Sequence, residues 1–244
     1  MKTIDVLGIG FHRLSMTQAV TACLSLIDSP SPAYVVTPNA EIAYAAQSDA
    51  SLMAALNGAE LVLADGIGII KGAKKLGRPL PERVPGVEVG PGLFDEMQAR
   101  GKTLFLLGGK PGVAELAAQN IQARFPLLRI CGTHDGYFKD DSEVLPQIQA
   151  AAPDVIFVCF GAPKQELWMQ RNRASVGQAL MLGLGGTLDH LAGLAPRAPR
   201  LLRRLGLEWL YRLLSQPSRW RRYLALPRFL GAVSRQKKKE RRKA

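Results

Sequence analysis

The 244-residue sequence predicts an α/β fold in which helices cover both faces of a parallel sheet. Two observations predict this class. Short apolar runs that suit buried strands alternate along the chain with stretches of helical periodicity. The apolar fraction of 47% and the charged fraction of 21% are ordinary for a globular protein with a hydrophobic core. A chain of this length forms one α/β domain, or one such domain with an appendage.

The individual elements follow from hydrophobic periodicity and from the turn residues between the apolar runs. Strands are expected over residues 2–9, 33–37, 60–64, 103–107, 127–131, 154–160 and 179–184. Helices are expected near 19–27, 41–47, 49–57, 92–100, 113–125 and 141–151, and after the turn at 161–166. Ser15 and Gln18 have the spacing of a capping box, and Pro38 and Asn39 suit a helix start. The Gly- and Pro-rich stretch 77–92 is expected to be a functional loop.

Positive charge is concentrated at the C-terminal end of the chain. Residues 195–244 contain 16 of the 32 Lys and Arg residues but only two of the 20 Asp and Glu residues, a formal charge of +14. In residues 202–214, Leu and Trp side chains fall on one helical face and Arg side chains fall elsewhere. We therefore predict an α/β catalytic core over 1–194, a basic amphipathic helical appendage over 195–230 and a basic disordered tail over 231–244.

Targeting and redox signals are weak in this sequence. No signal-peptide pattern is present, and no apolar run approaches the roughly 18 residues that span a bilayer. Cys23, Cys131 and Cys159 lie in apolar runs without a CxxC pair, so buried reduced thiols are expected. These features predict a cytoplasmic protein. The basic segment predicts an anionic partner, either nucleic acid or the inner face of the cell membrane.

Asp65 is the candidate chemical centre of the chain. It ends the apolar run that begins at Leu61, and Gly66 and Gly68 follow it. Ligands of open α/β sheets bind at the carboxyl ends of strands, where this carboxylate is expected to lie. A carboxylate in this position also suits a helix cap, and position alone leaves both interpretations open. The same two interpretations, cap and substrate contact, apply to Asn39.

Two further stretches suit an anionic or sugar substrate. Gly108 and Gly109 follow a strand and precede a helix, so their amides suit a diphosphate, although a plain turn fits equally well. Lys164 opposes the dipole of the helix that it opens, which a bound anion would explain. Gln165 offers both the donor and the acceptor that sugar hydroxyls or a uracil edge require.

Neither a metal site nor a dinucleotide site is predicted. The sequence has no DxD, no HExxH and no paired His or Cys pattern. The glycines at Gly8 and Gly10 lack the third glycine of a dinucleotide fingerprint. No cofactor is therefore expected, and a substrate diphosphate would be neutralised by Arg, Lys and helix N-termini.

Six motifs, in order over residues 30–230, resemble those of the WecG/TagA/CpsF family of glycosyltransferases. They are Thr37-Pro-Asn-Ala-Glu41, Ala64-Asp-Gly-Ile-Gly68, Glu82-Arg-Val-Pro-Gly86, Gly161-Ala-Pro-Lys-Gln-Glu166, Gly183-Leu-Gly-Gly-Thr-Leu-Asp189 with Arg197-Ala-Pro199, and Gly206-Leu-Glu-Trp-Leu-Tyr-Arg212. Each motif is short, but their shared order is specific. Two stretches depart from the family pattern. Ser215-Gln216-Pro217 stands where Glu-Pro is usual, and Gly86-Val-Glu-Val89 where Gly-x-Asp-Leu is common.

The resemblance implies a Rossmann-like core and an inverting hexosyltransferase that requires no metal. It implies transfer of N-acetylmannosamine or a related hexose from a UDP-sugar to an undecaprenyl-diphosphate-linked sugar, in cell-surface polysaccharide or teichoic-acid synthesis. By motif position, Asp65 is implied as the general base. The residues implied to line the donor pocket, steady the leaving diphosphate or hold the lipid diphosphate are Thr37, Asn39, Arg83, Gln165, Arg212, Arg219 and Arg222.

Two other functions compete with this interpretation. Trp and Tyr among the arginines of the tail also fit a nucleic-acid binder, but the apolar face of 202–214 disfavours it. The missing dinucleotide fingerprint disfavours an oxidoreductase with a nucleotide cofactor. The apolar face itself suits a membrane surface, the protein core or a second subunit of a homo-oligomer, and the sequence does not choose among them.

Overall fold

A computed structural model of the protein describes residues 1–195 and 225–242, and it confirms the predicted α/β class. The strands are β1 Thr3–Val6, β2 Ile9–His12, β3 Ala33–Val36, β4 Leu61–Val62, β5 Thr103–Gly108, β6 Arg129–His134, β7 Val155–Cys159 and β8 Leu180–Gly183. The helices are α1 Met16–Ile27, α2 Ala40–Ala45, α3 Ala50–Asn57, α4 Ile67–Lys75, α5 Gly86–Val89, α6 Phe94–Ala99, α7 Val113–Arg124, α8 Leu145–Ala151, α9 Lys164–Asn172, α10 Thr187–Leu191 and α11 Ala225–Arg241.

Within the described residues, six strands form one parallel sheet in the order β4-β3-β8-β7-β5-β6. All of their carboxyl ends therefore lie along the same edge. The chain runs from β3 outward to β4 at one margin and from β5 outward to β6 at the other. The loops of the two halves consequently diverge above the central strands, which is where open α/β sheets bind ligands.

The core consists of two apolar layers, one on each face of the sheet. The side chains of β7 alternate between them, so that Ile156 and Val158 join one layer and Val155 and Phe157 join the other. All five residues of β7 are buried. A strand that is buried on both faces is a continuous apolar run, which explains why the sequence signal for this strand was clear.

The N-terminal residues form an antiparallel hairpin, β1–β2, where the sequence predicts one strand and a turn. The hairpin turn contains Leu7 and Gly8, both with positive φ. The imidazole Nδ1 of His12 accepts a hydrogen bond from the Val62 N–H, at 3.0 Å. Burial of this ring lowers the pKa of His12, which favours the neutral form that can accept. The hairpin thereby covers part of the edge strand that leads to Asp65.

Residues 231–241 form part of the C-terminal helix α11, whereas the sequence predicts disorder there. Phe229 and Val233 are fully buried, and Phe229 lies against α4 at Gly72. Disorder was predicted because Lys and Arg dominate the end of the chain. The prediction is wrong because the apolar residues just before that basic run anchor the helix, while the basic side chains of the following turns remain largely at the surface.

The other predicted segment boundary, at 194/195, is not tested by the fold and stays a prediction. Most of the expected appendage, including the Leu and Trp face of 202–214, lies outside the described residues. In residues 1–195 and 225–242, no helix is both long enough and apolar enough to cross a membrane.

Candidate functional site

Asp65 lies at the carboxyl edge of the sheet, beside the loop that follows β3. The Leu63 N–H donates to the Val36 carbonyl at 2.9 Å, and the Asp65 N–H donates to the Pro38 carbonyl at 3.3 Å. These bonds continue the pairing of β3 and β4 beyond the last strand residues. They hold the backbone of Asp65 next to the loop that carries Thr37 and Asn39.

The loop that carries Arg83 joins the same edge. The Val84 N–H donates to the Ala64 carbonyl at 2.8 Å, which places Arg83 and Asp65 on neighbouring backbone segments. A Cβ added at Gly86 would lie 3.0 Å from the Thr37 hydroxyl, so this loop also packs closely against the end of β3. The stretch 77–92, which is expected to be a loop, contains the short helix α5.

The helix that follows Asp65 begins without a side-chain cap. Its N-cap residue is Gly66, at a φ of 83°, and no cap hydrogen bond from a side chain is present. Glycine suits this position because side-chain-bearing residues rarely adopt such a conformation. Asp65 lies one residue before the cap position and is therefore not the N-cap of this helix, and its contact with a substrate stays a prediction.

Thr37 and Asn39 both take part in the fold. Thr37 is buried, and its hydroxyl donates to the Gly183 carbonyl at 2.9 Å. Asn39 is the N-cap of α2, and its Oδ1 accepts from the Ile42 N–H at 3.0 Å. The cap prediction for Asn39 is confirmed. Asn39 lies close to the residue after Asp65, since a Cβ added at Gly66 would lie 3.8 Å from the Asn39 Cβ.

Gln165 is buried, with 3% of its surface exposed. Its Oε1 accepts from the Gly161 N–H at 3.2 Å and from the Gly185 N–H at 3.0 Å. Its Nε2 donates to Glu166 Oε1 at 2.9 Å. The donor and acceptor that the sequence offers to a substrate are thus already engaged. They tie the loop after β7 to the loop after β8.

The Lys164 ammonium also has partners within the chain. Its Nζ donates to the Gly136 carbonyl at 2.7 Å and lies 4.8 Å from the ring centres of Phe138 and Phe160. A carbonyl and two aromatic faces stabilise a cation at this place. The position of Lys164 at a helix start therefore needs no bound anion as its explanation.

Gly108 and Gly109 are required by backbone packing. A Cβ at Gly108 would lie 2.5 Å from the Cys159 carbonyl oxygen. The Gly109 N–H donates to that same carbonyl at 3.3 Å, and the Gly109 carbonyl accepts from the Gly136 N–H at 3.0 Å. Gly109 has a φ of 76°, and a Cβ there would lie 2.9 Å from the Val113 side chain, so both positions require glycine. Binding of a diphosphate there stays a prediction.

The structure thus brings together some of the predicted site residues but not all of them. Three loops converge around Thr37, Asn39, Asp65 and Arg83. The glycine pair lies four strand positions away from β4, roughly 19 Å at the usual strand spacing. The predicted substrate residues Arg212, Arg219 and Arg222 lie outside the described residues.

Sequence reasoning missed one functional candidate, Glu166. Its side chain is fully buried, and Oε2 has no hydrogen-bond partner in the part of the chain that the structure describes. Burial raises the pKa of this carboxyl, an effect that the Gln165 hydrogen bond opposes. Glu166 was visible as the last residue of a motif, but its burial depends on helix packing that no local pattern reveals.

The described ranges, 1–195 and 225–242, contain no group of three or more His, Cys, Asp or Glu side chains arranged to hold a metal ion. The free cysteines Cys23 and Cys159 are buried, and burial raises the pKa of each thiol to about 12. These thiols are therefore protonated at neutral pH.

Comparison with known proteins gives one family and several similar enzymes. The model of the "Glycosyl transferase WecG/TagA/CpsF family" matches residues 4–243. A Bacillus spizizenii protein named N-acetylglucosaminyldiphosphoundecaprenol N-acetyl-beta-D-mannosaminyltransferase is 38% identical over 207 residues, which cover 85% of this chain and 80% of that protein. Proteins of the same name from Bacillus subtilis and Staphylococcus aureus are 35% and 32% identical, over 87% and 97% of this chain and 83% and 94% of their own lengths.

Proposed function

Because the chain belongs to the WecG/TagA/CpsF family of glycosyltransferases, we propose that it transfers N-acetylmannosamine or a related hexose from a UDP-sugar to an undecaprenyl-diphosphate-linked sugar. The convergence of the Asp65, Asn39 and Arg83 loops at the carboxyl edge of the sheet is the observation that supports a reaction centre there. The names of the similar enzymes support N-acetylglucosamine as the acceptor sugar and N-acetylmannosamine as the transferred sugar.

In the proposed reaction Asp65 is the general base. It takes the proton of the acceptor hydroxyl while that oxygen attacks the anomeric carbon of the donor. The bond from the anomeric carbon to the diphosphate breaks, and its electron pair leaves with UDP. Attack from the face opposite the leaving group inverts the anomeric configuration. The carboxylate then holds the proton until solvent removes it.

The departing diphosphate gains negative charge, and Arg83 is the described residue proposed to stabilise it. A guanidinium can donate two parallel hydrogen bonds to phosphate oxygens. Arg83 lies on the segment bonded to Ala64, next to the proposed base. The Asn39 Nδ2 is proposed to bind a donor-sugar hydroxyl. Thr37, whose hydroxyl is bonded to Gly183, is proposed to shape the pocket wall.

The proposed donor is tested by incubating the protein with a polyprenyl-diphosphate-linked N-acetylglucosamine and a panel of UDP-hexoses. We expect UDP-N-acetylmannosamine to give the largest kcat/KM, at least about tenfold above the glucose and galactose donors, because single hydroxyl contacts discriminate on this scale. Formation of labelled disaccharide-lipid is followed by chromatography. Transfer from none of the UDP-sugars would contradict the proposed function, whereas preference for another hexose would overturn the named donor alone.

A basic surface on α4 and α11 is proposed to hold the enzyme at the inner face of the membrane. The two helices lie side by side, since Lys237 Nζ donates to the Lys75 carbonyl and Arg78 pairs with Glu240. Residues 67–78 and 225–242 contain eleven Lys and Arg and one acid. Anionic headgroups attract such a surface, by about 1 kcal/mol for each basic residue near them.

Vesicle flotation tests this surface. The variant Lys71→Glu with Lys238→Glu is expected to bind vesicles that contain phosphatidylglycerol at least about tenfold more weakly than the wild type. The matched control is Arg129→Glu with Lys139→Glu, which reverses the same number of exposed charges elsewhere. Equal losses in both variants would show non-specific attraction only. Binding to an oligonucleotide that persists while flotation is absent would favour the nucleic-acid alternative.

A further inference from the structure

Glu166 is a buried acid with an unusual hydrogen-bond environment. Its relative exposure is 0%, Oε1 accepts from Gln165 Nε2 at 2.9 Å, and Oε2 has no hydrogen-bond partner among residues 1–195 and 225–242. Placing a carboxyl in the interior with one donor is costly, so such a group requires an explanation. An apolar residue at this position would avoid that cost, and packing of α9 by itself therefore does not explain an acid there.

Three hydrogen bonds hold the Gln165 amide, and the bond to Glu166 is the one made by its NH₂ group. In the present orientation the amide oxygen faces two backbone donors, the N–H groups of Gly161 and Gly185. With the amide reversed, its NH₂ group would face those two donors, and its oxygen would face the Glu166 oxygen. Both contacts would then be unfavourable. The two glycine N–H groups and the Glu166 oxygen thus favour the same orientation, and Glu166 supplies the acceptor for the Gln165 NH₂ group.

The bridged glycines belong to the loops that border the candidate site. Gly161 follows β7 and Gly185 follows β8, at φ values of 80° and 56°. A Cβ built on either glycine meets none of the described residues within 4 Å. Thr37 extends the connection to β3 through its bond to Gly183. Adjustment of the Gln165 bridge would therefore shift three neighbouring strand ends at the carboxyl edge.

We propose that Glu166 is a positioning residue for sugar transfer, which acts by holding the Gln165 amide so that the loops after β7 and β8 keep the spacing that a sugar-nucleotide donor requires. This inference rests on the proposed function for the identity of the ligand. It assigns Gln165 the role of a loop clamp, whereas the sequence predicts a direct substrate contact. Neither residue needs to touch the reacting atoms.

The test compares initial rates and UDP affinity for variants of the two residues. Glu166→Met and Gln165→Met keep a linear side chain but remove the hydrogen bond. Each is expected to raise the donor KM and the dissociation constant of UDP at least about tenfold, the usual effect of leaving a buried polar group unpaired. The double variant is expected to lose no more than either single variant, because both act through the same bridge. Glu166→Gln retains an acceptor for Gln165 and is expected to stay within about threefold of the wild type.

Asn172→Met is the matched control for a purely structural effect. Asn172 lies on the same helix, is buried, and donates to Asp141 at 3.1 Å, away from the candidate site. We expect this variant to lower the melting temperature while the donor KM is unchanged.

A further variant, Gln165→Glu combined with Glu166→Gln, retains a donor and an acceptor with their places exchanged. It is expected to recover UDP affinity that Gln165→Glu alone loses.

The inference is overturned if Glu166→Met leaves the donor KM and UDP affinity unchanged, or if its effect multiplies with that of Gln165→Met. The same holds if Gln165→Met loses affinity while Glu166→Met does not, since that pattern indicates direct substrate contact by Gln165. If Glu166→Met does not fold, the exchange variant decides. Absence of transfer by the wild type would overturn the proposed function instead, and the clamp would still be measurable through UDP affinity.

Discussion

Replacement of Asp65 by Asn is expected to reduce kcat by about 100- to 10,000-fold, the usual contribution of a positioned general base. The amide keeps the shape of the side chain but cannot take the proton of the acceptor hydroxyl. The backbone bonds that hold residue 65 beside Pro38 and β3 do not involve the carboxylate, so the fold is expected to persist. The donor KM should change little, because the role proposed for Asp65 concerns the acceptor oxygen.

The measurement is the single-turnover rate of sugar transfer at saturating donor, with thermal melting as the check on folding. Asp49→Asn is a matched control, since Asp49 caps α3 by accepting from the Leu52 N–H at 2.9 Å. Asn caps helices about as well as Asp, so this variant is expected to retain full activity. A folded Asp65→Asn protein with near wild-type turnover would remove Asp65 from the mechanism.

Truncation of Phe229 to Ala is expected to lower the free energy of unfolding by about 3–5 kcal/mol, as removal of a buried aromatic side chain usually does. Phe229 is fully buried on α11, and a Cβ added at Gly72 of α4 would lie 2.9 Å from its ring. Loss of the ring leaves a cavity between α11 and α4. Because α4 begins directly after Asp65, this cavity also loosens the support of the candidate site.

Denaturant unfolding provides the measurement, with Leu127→Ala as the control. Leu127 is 73% exposed, so its truncation is expected to change stability by less than about 0.5 kcal/mol. Equal and small effects at both positions would show that α11 is an independent appendage. That outcome would restore the predicted separation of the C-terminal segment from the core.

Local signals predicted the elements well because their physics is local. Ser15 forms both bonds of its capping box within four residues, and Asn39 caps α2 through a neighbour three residues away. Their residue types and spacing are sufficient for prediction. The family motifs are also short and local, and the family that they indicate is confirmed over residues 4–243.

Predictions that concerned non-local partners were weaker. Lys164, where an anion is predicted, contacts the Gly136 carbonyl, 28 residues away, and two aromatic rings, and anion binding there stays a prediction. The strand pairing of residues 9–12 was missed because Leu7 takes a turn conformation that is rare for a side-chain-bearing residue. The disorder expected for 231–241 failed because composition cannot show that α4 offers a surface for Phe229.

The sequence by itself determined the fold class, the capped starts of α1 and α2, the family and the position of Asp65 at the end of an apolar run, since each depends on residues close together in the chain. It did not predict helix α4, which follows Asp65 directly. Only the tertiary structure decided which of the conspicuous polar groups are available to a substrate. It placed the Asp65 backbone against Pro38, beside the loop of Asn39, and it engaged the Gln165 amide with Gly161, Gly185 and Glu166. The reason is that a buried polar group must find a partner in the fold, and that partner can lie anywhere in the sequence.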